Sequence, residues 1–287
     1  MFAITGITGK VGGEVARNLL AANQPVRAVV RDLSKGEAWA QLGCDLVRAD
    51  INDAGALTSA FKGAESVFVL VPPSFDPSPD FQEARAMAAT LRTAIAAARP
   101  GRVVYLSTIG AQATQSNLLT QHTIIEQVLG ELSMPITFLR PGWFMENCSW
   151  DVSSATNDGV ISSFLQPVDK QVPMVATADI GRVAAELLQE TLKGHRVVEL
   201  EGPHRVTPNE IATTFADLLG RPVRMEPVPR ETWESLFKSQ GMKNPTPRIK
   251  MLDGFNEGWI EFESGEPGSR KGRVTLEAVL QTLIESR

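Results

Sequence analysis

The residues with the clearest chemical use open the chain. An apolar run, Phe2-Ala3-Ile4, leads into Thr5-Gly6-Ile7-Thr8-Gly9-Lys10-Val11-Gly12-Gly13, and helical spacing follows at once. The three glycines at 6, 9 and 12 answer different steric needs. The first permits a tight turn, the second lets the backbone approach a pyrophosphate, and the third lets the helix pack closely on the strand. The start of the helix adds unpaired N–H groups and a partial positive charge, so the segment reads as the phosphate seat of a dinucleotide. Arg31 follows the second apolar run, Val26-Arg27-Ala28-Val29-Val30. A cation at that strand tip suits an adenosine 2′-phosphate, whereas an acid there takes a ribose 2′-hydroxyl. Lys35 supports the phosphate and Asp32 opposes it, which leaves NADP(H) favoured over NAD(H).

These residues must be held by a scaffold, and the sequence outlines one. Further apolar runs occur at Asp45-Leu46-Val47, Val67-Phe68-Val69-Leu70-Val71, Val103-Val104-Tyr105-Leu106 and Ile136-Thr137-Phe138-Leu139. They are continuous rather than alternating, as in strands buried on both faces of a parallel sheet. Helical spacing separates them, for example over Glu14 to Ala22 and Glu83 to Ala98. The alternation predicts right-handed βαβ units and an α/β fold, a Rossmann-type doubly wound parallel sheet. Beyond Gly142 the texture changes, and residues 149–177 are rich in Ser, Thr, Asn, Asp and Pro, as in loops. A helix is expected over Ile180 to Leu192, capped by Asp179, and a strand over Arg196 to Leu200. Thr207 and Glu210 form a capping-box pair, with Pro208 at the first helical position and the end near Gly220. The expected organisation is a nucleotide-binding lobe over 1–148, to which helix 178–192 returns, and a smaller α+β lobe over 149–287.

Composition excludes several roles. Lys and Arg number 28 against 33 Asp and Glu, a net charge of −5, and there is no basic run to coat a phosphate backbone. Nucleic acid is therefore not the expected partner. Cys44 and Cys148 make no CxxC pair, and His122, His195 and His204 share no metal-ligand spacing, so no metal site is expected. No apolar stretch reaches the ~18 residues that span a bilayer. A soluble, cytoplasmic protein without a membrane partner is the expectation.

Together with Ser107-Thr108-Ile109-Gly110-Ala111 and Leu139-Arg140-Pro141-Gly142-Trp143-Phe144-Met145-Glu146-Asn147, the opening motif resembles the NmrA-like branch of the atypical short-chain dehydrogenases/reductases. The resemblance covers most of the chain and is strongest over 1–147. It implies an NAD(P) site at the carboxyl ends of the strands. By similarity Gly6, Thr8, Gly9, Lys10, Val11 and Gly12 line the phosphates and Arg31 the adenosine phosphate. Asp50 and Ile51 flank adenine, Val71, Pro72 and Pro73 pass the ribose, and Ser107 and Thr108 lie near the nicotinamide. Members include NADPH-dependent reductases of quinones, azo compounds and dyes, and also non-catalytic redox sensors.

The wider superfamily delivers a proton through Tyr-x-x-x-Lys on a helix, and this chain departs from that pattern. Alignment on Glu126 puts His122 in the lysine position and Leu118 in the tyrosine position, and the single tyrosine, Tyr105, falls inside a strand. A ketone reductase without that acid forgoes ~10²–10⁴ in rate, whereas a quinone or azo acceptor delocalises its charge and takes its proton from water. For such acceptors, positioning against the nicotinamide supplies much of the effect. Trp143, Phe144 and Trp150, with Asn147, are candidates for a wall against a small-molecule substrate, core packing being the other reading of the aromatics. His122 is the candidate catalytic residue, either a proton donor or a cofactor contact. The sequence thus supports an NADPH-dependent oxidoreductase of a conjugated small molecule. The alternative is a redox sensor acting through a regulatory protein partner or a homodimer.

Overall fold

The computed structural model describes residues 1–191 and 193–286. Five strand-helix units and a sixth strand build the first half. They comprise β1 (Phe2–Thr5), α1 (Lys10–Ala21), β2 (Val26–Val30), α2 (Glu37–Gln41), β3 (Asp45–Arg48) and α3 (Ala54–Phe61). Then follow β4 (Ser66–Val69), α4 (Gln82–Ala98), β5 (Arg102–Leu106), α5 (Thr120–Leu129) and β6 (Ile136–Pro141). The strand order 3-2-1-4-5-6 continues through β10 (His195–Glu201) to β12 (Arg270–Lys271), and every pair in the sheet is parallel. This is the Rossmann-type doubly wound sheet expected from the continuous apolar runs, because the central strands are covered on both faces.

One face carries Ile4, Ala28, Phe68, Val104, Leu106 and Leu139 against α1 and α7 (Thr177–Gln189). The other carries Val29, Val67, Val69, Val103, Tyr105 and Phe138 against α3, α4 and α5. A third core gathers the remaining C-terminal elements. They are β7 (Trp143–Phe144), α6 (Val152–Asn157), β8 (Val160–Ser163), β9 (Met174–Val175), α8 (Pro208–Leu219), β11 (Arg224–Pro227), α9 (Trp233–Ser239), α10 (Thr246–Glu257) and α12 (Leu276–Glu285), while α11 (Gly265–Gly268) buries no residue. The chain beyond 149 therefore divides itself, giving α7, β10 and β12 to the large sheet and the rest to the third core.

Several sequence expectations change in the structure. The segment 149–177 is not all loop: it holds α6, β8 and β9, short elements whose outward residues are polar. The expected helix over 180–192 begins at Thr177 and runs to Gln189, and its terminal Leu192 lies outside the described residues. Asp179 is not its cap. It sits inside the first turn and is almost fully buried, where it accepts the Arg273 and Val274 amides at 2.7 and 2.8 Å and pairs with Arg182 at 2.9 Å. The acid was legible, but its partners lie 94 and 95 residues away. The capping box of Thr207 and Glu210 is present, with Pro208 at the first turn and Gly220 in the left-handed region at φ 63°.

Helices α1 and α7 cross closely because Gly181 has no side chain there. A Cβ at that point would overlap Glu14 Cβ and lie 2.9 Å from the Val15 nitrogen. Gly181→Ala must separate the two helices, and overpacking of this kind costs about 1–3 kcal/mol. We expect the denaturant midpoint to fall accordingly. An unchanged midpoint in urea or guanidinium unfolding would show that the crossing yields freely.

Candidate functional site

Because all strands run parallel, their carboxyl ends share one edge, and the expected cofactor residues assemble there. Gly6 adopts φ 64°, and the Gly9 amide donates to the Gly6 carbonyl at 2.9 Å. A Cβ on Gly12 would overlap the Gly6 carbonyl, so the turn closes onto the helix only with glycine at this position. The first bond of α1 runs from the Gly13 amide to the Gly9 carbonyl at 3.0 Å. The amides of Lys10, Val11 and Gly12 have no acceptor within the helix and lie at its positive end. Thr8, Gly9 and Lys10 are exposed. This cradle fits a pyrophosphate, since a donor-rich turn is open where side chains would block approach.

Arg31 leaves the tip of β2 exposed and has no ion pair among the described residues. Asp32 beside it is already engaged: its carboxylate accepts from the Ser34 hydroxyl at 2.8 Å and from the Ser34 amide at 3.0 Å. These bonds hold its pKa below the usual carboxylate value. The Ala49 amide donates to the Val30 carbonyl at 2.9 Å, which brings Asp50 and Ile51 alongside Arg31. Asp50 is turned inward on its own loop, accepting from the Asn52 amide at 2.9 Å.

The glycine turn abuts β4. Thr5 Oγ1 accepts from the Leu70 amide at 2.8 Å, and Leu70 Cδ2 lies 3.0 Å from where a Gly6 Cβ would stand. From that junction Val71, Pro72 and Pro73 run into the wall of a chamber of about 630 Å³. The chamber also collects Thr108, His122, Trp143, Phe144, Asn147 and Trp150, so these sequence candidates converge on one space. Trp143 packs edge-on to Phe255 with centroids 5.2 Å apart, while Trp150 is 65% exposed at the rim.

Ser107 lies outside the chamber. It is buried, and its hydroxyl donates to Glu126 Oε1 at 2.5 Å. Glu126 also receives Arg140 in a two-point pair, Nε to Oε1 at 3.0 Å and Nη2 to Oε2 at 2.6 Å. Glu126 stands one turn beyond His122 on α5, so this anchor fixes the rotation that presents His122 to the chamber. Leu118 precedes α5, its amide donating to the Pro247 carbonyl at 2.8 Å. A side chain at 118 therefore does not lie on the helix that carries His122, although it lines the same space.

The sequence reading missed the partner of His122. Strand alternation turns Tyr105 toward α5, where its hydroxyl lies 2.8 Å from His122 Nδ1. Burial, with Glu126 nearby, raises the phenol well above its ordinary pKa, so it keeps its proton. No other partner is present for that hydroxyl among the described residues, so the proton points to Nδ1. The N–H of a neutral His122 is then on Nε2. Burial pulls the His122 pKa down to about 4. Also missed was Asp151 on the chamber wall, whose pKa desolvation pushes up to about 7. Cys148 is buried, and burial pushes its thiol up.

The fold and edge cradle define the class of nucleotide-binding Rossmann proteins with an added C-terminal lobe. Within that class the chain belongs to the NmrA-like family, which matches residues 1–261. It is 29% identical over 248 residues to quinone oxidoreductase 2 of Escherichia coli, covering 84% of this chain and 82% of that one. It is 28% identical over 260 residues to the NAD(P)H azoreductase of Xenophilus azovorans, covering 90% and 85%. An Escherichia coli NADPH-dependent quinone oxidoreductase solved with NADPH superposes with a TM-score of 0.81 at 25% identity, covering 99% of both chains. Among the described residues no helix is long and apolar enough to cross a membrane.

The two shifted groups move stability in opposite senses. The folded His122 pKa of about 4 lies below its unfolded value, so its contribution is complete above pH ~6.5 and is lost as pH falls toward 4. The folded Asp151 pKa of about 7 lies above its unfolded value, so its contribution is complete below pH ~4 and is lost as pH rises toward 7. On acidification from pH 6.5 to 4.5, His122→Asn should retain more unfolding free energy than the parent protein and Asp151→Asn less. Urea titrations at the two pH values read this directly. Parallel changes in the two variants would contradict the assignment.

Proposed function

We propose that this chain is an NADPH-dependent oxidoreductase that transfers a hydride to a conjugated small molecule of the quinone or azo type. The observation that carries the reading is the aromatic-walled chamber of about 630 Å³ sharing the β4 tail with the glycine cradle. The quinone and azo reductases among its relatives point the same way. A pure sensor has no need of a chamber that size, which weighs against the regulatory alternative.

Gly6, Thr8, Gly9, Lys10, Val11 and Gly12 would hold the pyrophosphate, with the free amides of α1 as donors. Arg31 would take the 2′-phosphate, since the competing Asp32 carboxylate is committed to Ser34. Val71, Pro72 and Pro73 would bound the ribose, Asp50 and Ile51 the adenine, and Thr108 the nicotinamide side. Bound NADPH supplies the hydride. Trp143, Phe144 and Asn147 would hold a flat acceptor and exclude water from one of its faces. His122, neutral with its proton on Nε2, would donate a hydrogen bond to the acceptor atom that gains negative charge. Its low pKa makes it an electrophile rather than an acid. Tyr105 is its positioning residue, and the product takes its final proton from water.

Purified protein should consume NADPH in the presence of simple quinones or azo dyes, followed by nicotinamide absorbance. A broad panel of such acceptors without turnover would refute the reductase. Arg31→Ala should weaken NADPH by about tenfold or more, the worth of charge-assisted bonds, and NADH much less. Equal losses in calorimetric titration would show that Arg31 does not read the 2′-phosphate.

A further inference from the structure

The chamber wall includes a guanidinium, Arg248, that forms no ion pair among the described residues. Arg248 lies on α10 one turn before Met251 and Leu252 and two before Phe255, and all four line the chamber. The spacing i, i+3, i+4, i+7 is a single helix face, so the guanidinium shares its wall with apolar side chains. Its contacts are weak: Nη1 lies 3.7 Å from Met242 Sδ, and Cζ stands 4.4 Å from the Phe237 ring centroid. Every other arginine of the described residues that is at least half-buried has a carboxylate. Arg27 has Asp45, Arg102 Glu65, Arg140 Glu126, Arg182 Asp179, Arg196 Glu190 and Arg205 Glu201. Arg248 alone does not.

A shielded, unpaired guanidinium is costly, and desolvation already lowers its pKa from the ordinary arginine value. Even so it stays charged at any physiological pH. The other ionisable groups on the chamber wall are Glu83, His122, Cys148 and Asp151, and Arg248 forms no ion pair with either carboxyl. The chamber therefore combines a flat aromatic wall with one donor fork matched to a planar or tetrahedral oxyanion. Arg248 belongs to the C-terminal lobe and α10, apart from the strand-edge cradle that accounts for phosphate binding.

We infer that Arg248 is a specificity residue, and that the preferred acceptor is a conjugated ring system bearing an anionic oxygen group such as a carboxylate or sulfonate. This rests on the reductase reading above and names the substrate class for that same chamber. Charge-assisted bonds in a partly desolvated site amount to about a tenfold preference or more over a neutral analogue.

Two matched pairs test it on the full chain with NADPH. One is an azobenzene carboxylate and its methyl ester; the other is a naphthoquinone sulfonate and the parent naphthoquinone. Turnover is measured for each, and binding is followed separately by quenching of tryptophan fluorescence, which Trp143 and Trp150 report. The expected result is a kcat/KM and an affinity about tenfold or more in favour of the anionic member. In Arg248→Gln that preference collapses towards one, and Arg248→Lys keeps part of it. Loss of both members alike in Arg248→Gln, or no preference in the parent protein, would overturn the inference while leaving the reductase standing. Anion-selective quenching that vanishes in Arg248→Gln, without turnover of any acceptor, would uphold the anion site and refute the reductase.

Discussion

Glu126 holds the site together. Its carboxylate receives two bonds from Arg140 on β6 and one from Ser107 at the end of β5, all at 3.0 Å or less. A two-point guanidinium pair fixes both the depth and the rotation of α5, where a single contact would allow it to roll. With that rotation set, His122 one turn earlier faces the chamber and meets Tyr105 from the strand beneath. Arg140 also reaches Glu263 at 2.9 Å, so the same guanidinium ties the C-terminal lobe to the sheet. Removing either member would leave a buried charge without its counterpart, a situation typically costing about 3–5 kcal/mol.

The anchor explains part of the Leu139-Arg140-Pro141-Gly142-Trp143-Phe144-Met145-Glu146-Asn147 segment in physical terms. Arg140 binds α5. A Cβ on Gly142 would overlap the Pro173 carbonyl, so this strand passes β9 only without a side chain. Trp143 and Phe144 face the chamber, and Glu146 Oε1 accepts from the Thr177 amide at 2.8 Å at the start of α7. Nine consecutive residues thus connect the sheet, the chamber and the helix that packs on α1.

What the sequence disclosed and what it hid follow from distance along the chain. The glycine turn, the capping box of α8 and the apolar strands are local patterns, set by residues within a few positions of one another, and each was legible. Convergence of Val71, Pro72, Pro73, Thr108, His122, Trp143, Phe144 and Asn147 was legible once parallel strands were inferred, because the topology places all their carboxyl ends on one edge. Tyr105 against His122 was not, since it requires knowing which face of β5 meets α5. Asp179 read as a cap for the same reason: an acid near a helix start looks local, while the amides that donate to it come from residues 273 and 274. Arg248 was invisible because an unpaired arginine is defined by the absence of carboxylates that only the folded chain could have brought near. Over 230–262 proline and glycine punctuate the sequence, and α9 and α10 fit between the breaks.

In the proposed reductase, the Tyr105–His122 pair would bear on why a helix tyrosine can be dispensed with. A solvent-facing phenol can give up its proton to an alkoxide, but Tyr105 is fully buried and its proton is committed to Nδ1. What it does instead is fix the imidazole tautomer, the role a second partner commonly plays for a functional histidine. The result is a fixed dipole rather than a proton source, suited to charge that spreads over a conjugated acceptor and poorly suited to a localised alkoxide. The chamber wall agrees with this division. It is mostly apolar, and one of its carboxyls, Asp151, is pushed toward neutrality by burial. In the proposed reductase, selection of the acceptor would fall to shape and to the unpaired guanidinium on α10, while the strand edge would keep to the nucleotide. Glu126 and Arg140 join the two regions.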